Sequence, residues 1–560
     1  MSSAMSVLRG HLFGSLSGYR PAFLRPDLIA GLTVWAVLIP ESLAYASIAG
    51  VPAVVGLYAA VPALLLYAAF GSSRHLIVGP MSATAALSAA IVGPAVAGNP
   101  GAYVAMTAAL AIVTGLVGIL AGLARLGFIA SFISAPVLKG FIVGLALTII
   151  IGQVPKLLGI EKGDGDFFAQ AWSVLGHLGD TNVPSMVVGL LTLAGVLVLK
   201  RWLPLVPGAL LAVAAGVLAV RVLGLDEHGV KIVGHIDPGL PDLGLPAGVG
   251  FSDYLSLVVP AAGVVIIGFA EGLGAAKTYA AKEGYPIDSN RELIGLGSAN
   301  LGAGLCSGMV VNGSLSKTAV NGGAGARTQV SGLVVAALTV LTLLFLTGLF
   351  ESLPEATLAA VVIAAVIELV DFGSLRRLYG VWTSRLARIY GHATRIDFIA
   401  AMAAMFGVLV FDTLPGLLIG IAASLTVLLY RVSKPHVARL GRVGERWVDV
   451  ANYPEAQVVD GALVVRVEAG IFFADSDAVR EDLVAMVDDD TRLVVLDAES
   501  SPFIDVSAVQ MLLEVRDELS RSAIDLRIAR DVAQFGDVVA AVDDSGDLQI
   551  FDSITEALEA

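Results

Sequence analysis

From Asp27 to Arg431, apolar runs long enough to cross a bilayer core alternate with short polar or Gly/Pro-rich breaks; each crossing takes roughly 20 residues. The pattern predicts about fourteen helical segments, several of them short or broken. After Arg446 acidic residues become frequent and apolar runs shrink to strand length, as in ALVVRV (462–467) and RLVVLDAE (492–499). SDAVREDLVAMV (476–487) and SAVQMLLEVRDELSR (507–521) instead carry apolar residues at helical spacing. Strands alternating with helices predict a small α/β sheet. The expected layout is an N-terminal segment over 1–26, an all-α membrane domain over 27–435, a linker over 436–445 and an α/β domain over 446–560.

Two stretches break the membrane pattern in the same way. SSRHLIVGPMSATAALSAAIVG (72–93) is a short β-like run, a Gly-Pro break and a helix starting near Met81. GMVVNGSLSKTAVNGGAG (308–325) is a β-like run, an Asn-Gly break and a helix starting near Ser314. Either break alone is more often a kink, but interrupted segments at matching positions in two halves point to a transporter binding site. Extended lead-ins to helices of opposite direction place both helix N-termini near the midplane, where free N–H groups and positive dipole ends attract an anion. Ser82 and Thr84 on one side, with Ser314 and Ser316 on the other, supply hydroxyls.

Carboxylates repeat the symmetry. Glu41 in IPESLA and Glu271 in FAEGLGA each lie about 40 residues before a broken helix, as a repeated unit predicts. We read 28–222 as one repeat and 254–432 as a second, inverted one. Intramembrane charges are costly and face a bundle interior or a water-filled path. Lys317, in the first turn of the second broken helix, opposes the helix dipole and needs an anion: the substrate, Glu271 or Glu41. A structural ion pair is the competing reading.

Composition narrows the class. Mean hydropathy is +0.84, and only 15% of residues are charged, against about 25% in soluble domains. From Arg446 onward stand 26 acidic and 8 basic residues, so the net charge of −14 belongs to the tail. An acidic tail argues against nucleic-acid binding. The single cysteine, Cys306, excludes an intrachain disulfide or a cysteine metal cluster. No cofactor or metal is expected, and no metal-ligand spacing, phosphate loop or nucleophile–base pair suggests an enzyme. The first twenty residues lack an apolar core, so no cleaved leader is expected. Basic residues cluster at alternate span ends (Arg9, Arg20 and Arg25; Arg74; Arg125; Lys200 and Arg201; Lys277 and Lys282; Arg327; Arg376, Arg377, Arg385, Arg388 and Arg395), whereas the intervening loops are acidic or neutral, with Glu351, Glu355 and Asp412. The positive-inside rule puts both termini and the tail in the cytoplasm of a plasma (inner) membrane protein with an even number of crossings.

PESLAYASIAGVPAVVGLYAA (40–60) and NGSLSKTAVNGGAGARTQVSG (312–332) resemble the signature regions of the sulfate permease family (SulP, solute carrier 26), and the resemblance extends over nearly the whole chain. It implies seven-plus-seven inverted repeats, a core and a gate domain, an anion site between two half-helices, and a cytosolic STAS domain. Carried over by position, Glu41, Tyr45, Ser82, Ala83, Glu271, Ser314, Leu315, Ser316 and Lys317 line that site. Glu271 is similar to the residue associated with proton coupling in symporting members. Two positions depart from the pattern: the family usually has Gln where this chain has Glu41, which adds a second protonatable group, and often Arg where it has Lys317, which exchanges a bidentate fork for a point charge. The tail resembles a STAS domain, similar to anti-sigma-factor antagonists with a phosphoacceptor serine directly after an Asp. Here Val506 follows Asp505, with Ser507 one later, so a structural or contact role is expected, at a homodimer interface.

These readings converge on a secondary active transporter of small anions, sulfate first, in symport with protons. Sodium-coupled bicarbonate transport, C4-dicarboxylate transport and an uncoupled anion channel are the alternatives. A nucleobase transporter of the same architecture lacks this tail, and Lys317 favours an anion.

Overall fold

The computed structural model describes residues 12–560 except 17, 97–99, 129–134, 164, 204–207, 237, 384–392 and 412. Arg9, Arg385, Arg388 and Asp412 of the charge pattern lie outside the described residues. The chain divides into two compact units, 1–424 and 425–560.

In the first unit the two halves repeat one element order. The first half runs α1 (Leu24–Ile48), α2 (Ala53–Phe70), β1 (Ile77–Gly79), α3 (Ser82–Ala95), α4 (Pro100–Leu123), α5 (Ala135–Leu158), α6 (Phe167–Gly176), α7 (Val183–Trp202) and α8 (Gly208–Leu223). The second runs α9 (Val258–Glu283), α10 (Ser289–Leu305), β2 (Asn312–Ser314), α11 (Leu315–Gly323), α12 (Val330–Leu341), α13 (Glu355–Val366), α14 (Phe372–Thr383), α15 (Ala393–Phe411) and α16 (Thr413–Val432). Among the described residues seven helices are long and apolar enough to span a membrane and five more are apolar but shorter; α10 and α11 complete the expected fourteen. The remaining two, α6 and α14, occupy the same place in each half. Phe168, Trp172 and Leu175 form an exposed apolar stripe along α6 at helical spacing, as in a helix lying at a membrane surface.

The halves are interleaved. Helix α10 of the second half packs against α2 and α4 of the first, while α12 packs against α1 and α2. Small residues permit the approach: a Cβ at Gly297 on α10 would stand 2.6 Å from the Ile119 backbone nitrogen on α4. Lipid gives helices no hydrophobic reason to associate, so such backbone-to-backbone packing supplies the contact energy. This first group comprises α1–α4 and α9–α12. The second gathers α5, α7 and α8 with α13 and α15, where α5 packs on α13 and α15, and α13 on α7. We refer to the first group as the core and to the second as the gate, after the expected architecture.

The second unit is a six-stranded sheet in the order β4-β3-β5-β6-β7-β8, with β3 (Val437–Val443), β4 (Arg446–Asp449), β5 (Ala462–Val467), β6 (Leu493–Asp497), β7 (Asp525–Ala529) and β8 (Gln549–Phe551). Strands β5 to β8 are parallel, and β3 runs antiparallel to both of its neighbours. Val465, Leu496 and Ile528 meet α17 (Ser476–Ala485), α18 (Val506–Ser520) and α19 (Phe535–Val542) on one face, whereas Val464, Val495 and Ala529 meet α20 (Ile554–Glu559) on the other. Burial on both faces is why these strands are continuously apolar. Asp505 caps α18 by accepting from the Ala508 N–H at 2.9 Å, and Ser507 is exposed in the first turn.

The segment expected as a linker, 436–445, is corrected by the structure. It is strand β3, paired with β5 from Val437↔Val467 to Arg439↔Val465. Its buried Val437, Ala438 and Leu440 alternate with arginines, so the run reads as polar although it is an interior strand. A tail fragment beginning at Pro435 should therefore unfold cooperatively in urea, whereas one beginning at Arg446 should lack a cooperative transition because β5 loses its partner. Equal midpoints and slopes for the two fragments would remove β3 from the folding unit.

Candidate functional site

Strands β1 and β2 pair antiparallel in the register Ile77↔Ser314, Val78↔Gly313 and Gly79↔Asn312. Each then turns directly into a half-helix, so the two helices leave opposite ends of one ribbon. Met81 precedes α3 in extended backbone, and no side chain caps that helix, which leaves its first-turn N–H groups available to another acceptor. On α11, Ser314 Oγ accepts from the Lys317 N–H at 3.3 Å and lies 3.1 Å from Ser316 Oγ.

Lys317 crosses between the repeats. Its Nζ donates to the Pro80 carbonyl, two residues before α3, at 2.8 Å. It lies 3.1 Å from Glu41 Oε2 and 5.1 Å from the centroid of the Tyr45 ring. Pro40, inside α1 beside Glu41, has no N–H to give its helix and loosens the turn at this point. Lys317 is 1% exposed and Glu41 8%. Of the two carboxylates considered for the lysine, Glu41 stands within ion-pair distance. Both departures from the family pattern thus face one another across the repeat interface.

Ser82, Ala83, Thr84 and Ser314 are buried, whereas Leu315, at 55% exposure, and Ser316 are exposed. Glu271 lies on α9 between Gly268 and Gly272, whose missing Cβ atoms admit Asn312 of β2. It forms no ion pair with Lys317 among the described residues, and its Oε2 is buried without a hydrogen bond.

Several polar residues that the sequence did not single out hold the ribbon. Thr318 Oγ1 accepts from the Ile77 N–H at 3.1 Å, and Asn321 donates to the His75 carbonyl at 2.9 Å. Gln329 donates to the carbonyls of Ser73 and Leu76 at 3.0 and 2.8 Å. Asn300 accepts from the Val311 N–H and donates back to its carbonyl, both at 2.9 Å. Buried Glu292 accepts from Tyr67 Oη, the Ser72 N–H and hydroxyl, and the Ser73 N–H, at 2.7 to 3.0 Å. Their signal was polarity within apolar runs.

The model of the sulfate permease family matches residues 24–387, and the model of the STAS domain matches residues 453–557. The chain belongs to the sulfate permease family. It is therefore a transporter of the membrane, not an enzyme. Among relatives, "Probable sulfate transporter Rv1739c" of Mycobacterium tuberculosis (strain ATCC 25618 / H37Rv) is 37% identical over 97% of this chain and 96% of its own. Sulfate transporter 1.3 of Arabidopsis thaliana is 32% identical over 97% and 85%. The fold is that of SLC26A9, with a TM-score of 0.88 at 21% identity over 100% of this chain and 93% of that one. The transmembrane domain of the cyanobacterial bicarbonate transporter BicA aligns with a TM-score of 0.61 at 24% identity, over 72% of this chain and 98% of that one.

Breaking a buried ion pair on one side leaves an uncompensated charge, which costs about 3–5 kcal/mol. Lys317→Met should lower the melting temperature of the purified transporter markedly, and adding Glu41→Gln should recover most of the loss. A double variant no more stable than the single one would show that Glu41 does not depend on Lys317.

Proposed function

We propose that the chain is a proton-coupled symporter of small anions, with sulfate as substrate, in which the core group moves against the gate group. The observation that supports this reading is the buried Lys317–Glu41 pair between two half-helix starts. With Glu41 ionised the Lys317–Glu41 pair is neutral, and a dianion gains little from Lys317. Once Glu41 takes a proton, the ammonium and the uncapped first turn of α3 are free to face the anion. Proton and anion then bind cooperatively, with one coupling free energy whichever comes first. Sulfate transport by relatives with 37% and 32% identity favours sulfate. The resemblance to BicA keeps sodium-coupled bicarbonate transport as the second reading.

Each carboxylate counts for one charge in the transport cycle. Empty, Lys317 with ionised Glu41 and Glu271 carries one net negative charge. Loaded with sulfate and a proton on each carboxylate, the site carries the same charge, so both states cross the membrane field equally. The charge pattern puts both termini in the cytoplasm, and the acidic STAS unit acts by contact, in a symmetric homodimer.

In proteoliposomes, Lys317→Ala should abolish saturable sulfate binding while Lys317→Arg keeps part of it. Unchanged affinity in the alanine variant would leave the lysine a purely structural role. Sulfate uptake driven by a pH gradient should not respond to an imposed membrane potential in the wild type. Glu41→Gln and Glu271→Gln should each remove one proton from the cycle and make uptake potential-dependent. Wild-type accumulation driven by sodium alone would favour the second reading.

A further inference from the structure

A second polar cavity lies apart from the half-helix ribbon. It is a cleft of about 490 Å³ beside the start of α1, walled on one side by Phe23 and Pro26 and on the other by Arg74, Glu283, Tyr285 and Arg327. Tyr285 is held rigidly, because its hydroxyl meets the Arg74 N–H, Ser73 Oγ and His75 Nδ1 at 3.3, 3.2 and 3.0 Å. The Arg74 guanidinium lies over that ring, 5.3 Å from its centroid. Arg74 is exposed and has no carboxylate partner among the described residues. Arg327 is anchored through its backbone, whose N–H donates to buried Asp27 at 2.6 Å. Its Nη1 meets Glu283 at 3.2 Å, which leaves the second arm of the fork open. Two guanidiniums and one carboxylate line the cleft, Asp27 lies buried behind it on the Arg327 and Thr328 N–H groups, and exposed Arg20 and Arg25 on the adjoining segment add positive charge.

We propose that this cleft binds the phosphate headgroup of an anionic phospholipid. Guanidinium forks match phosphate oxygens two at a time, and a shelf that already positions Arg74 reduces the ordering cost of binding. The apolar wall identifies the source. Phe23 and Pro26 lead into α1, where Leu24, Leu28 and Ile29 are 47%, 41% and 49% exposed at the start of a spanning helix. A headgroup seated on Arg74 and Arg327 puts its acyl chains along that face, whereas a free inorganic anion has no use for it. The location carries a consequence for transport. Arg74 lies three residues before β1 and Arg327 four residues after α11, so one lipid bridges the entry to the first half-helix and the exit from the second. Lipid binding here stiffens the connection between the elements that bear the transport site.

The test uses the full-length protein reconstituted with phosphatidylcholine alone or with added phosphatidylglycerol. Retention of phosphatidylglycerol through delipidation is measured by native mass spectrometry, with thermal unfolding as a second readout. Wild type should retain phosphatidylglycerol and melt at a higher temperature in its presence. Arg74→Ala/Arg327→Ala should lose roughly tenfold or more in retention together with the thermal shift, while still taking up sulfate in phosphatidylcholine, which shows that it folds. Equal retention and an equal thermal shift in the double variant would overturn the proposal. A thermal shift produced by inorganic phosphate alone, abolished in the double variant and not enlarged by phosphatidylglycerol, would overturn the lipid assignment.

Discussion

A lysine ammonium buried to 1% exposure within a membrane domain has to be neutralised where it stands, because neither lipid nor bulk water does it. Here that requirement reaches across the repeats. The cation belongs to α11, its carboxylate to α1 and its carbonyl acceptor to the turn before α3. Satisfying one charge therefore fixes three elements relative to each other, and the half-helix starts are held open as a consequence. In the proposed cycle the pair also limits what the site accepts, since an anion reaches Lys317 only by taking the place of Glu41 or by finding it protonated.

Extended backbone inside the membrane domain raises a second demand of the same kind. Strands β1 and β2 satisfy part of one another's hydrogen bonding, but a three-residue ribbon leaves its flanks unpaired. Thr318, Asn321, Asn300 and Gln329 supply the missing partners from neighbouring helices, and Glu292 does so for the loop before β1. Non-helical backbone is tolerated in a membrane only where protein groups or water satisfy it. The interleaving of α10 between α2 and α4 brings Asn300 and Glu292 to the ribbon and its lead-in, so packing through small residues and polar satisfaction are two parts of one arrangement. Glu271 sits beside this framework without an ion pair among the described residues, which separates its environment from that of Glu41 although the two occupy equivalent places in the repeats.

Much of this architecture was legible in the chain. The apolar runs and their two breaks located the spans, the half-helix starts within a residue or so, and the carboxylates that precede them, because burial in lipid forces composition and periodicity on every segment. The acidic tail declared itself as α/β through its apolar strand runs. Strand β3 escaped notice, since its arginines alternate with small buried residues and its role depends on a partner that comes later in the chain. The choice of Glu41 over Glu271 as the partner of Lys317, the scaffold of Thr318, Asn321 and Gln329, and the seating of Arg74 on Tyr285 were decided only by tertiary structure. Local pattern reports whether a residue is exposed to lipid, water or protein, whereas an ion pair or a hydrogen bond is set by which distant segments are brought within about 3 Å, and spacing along one chain carries no record of that distance.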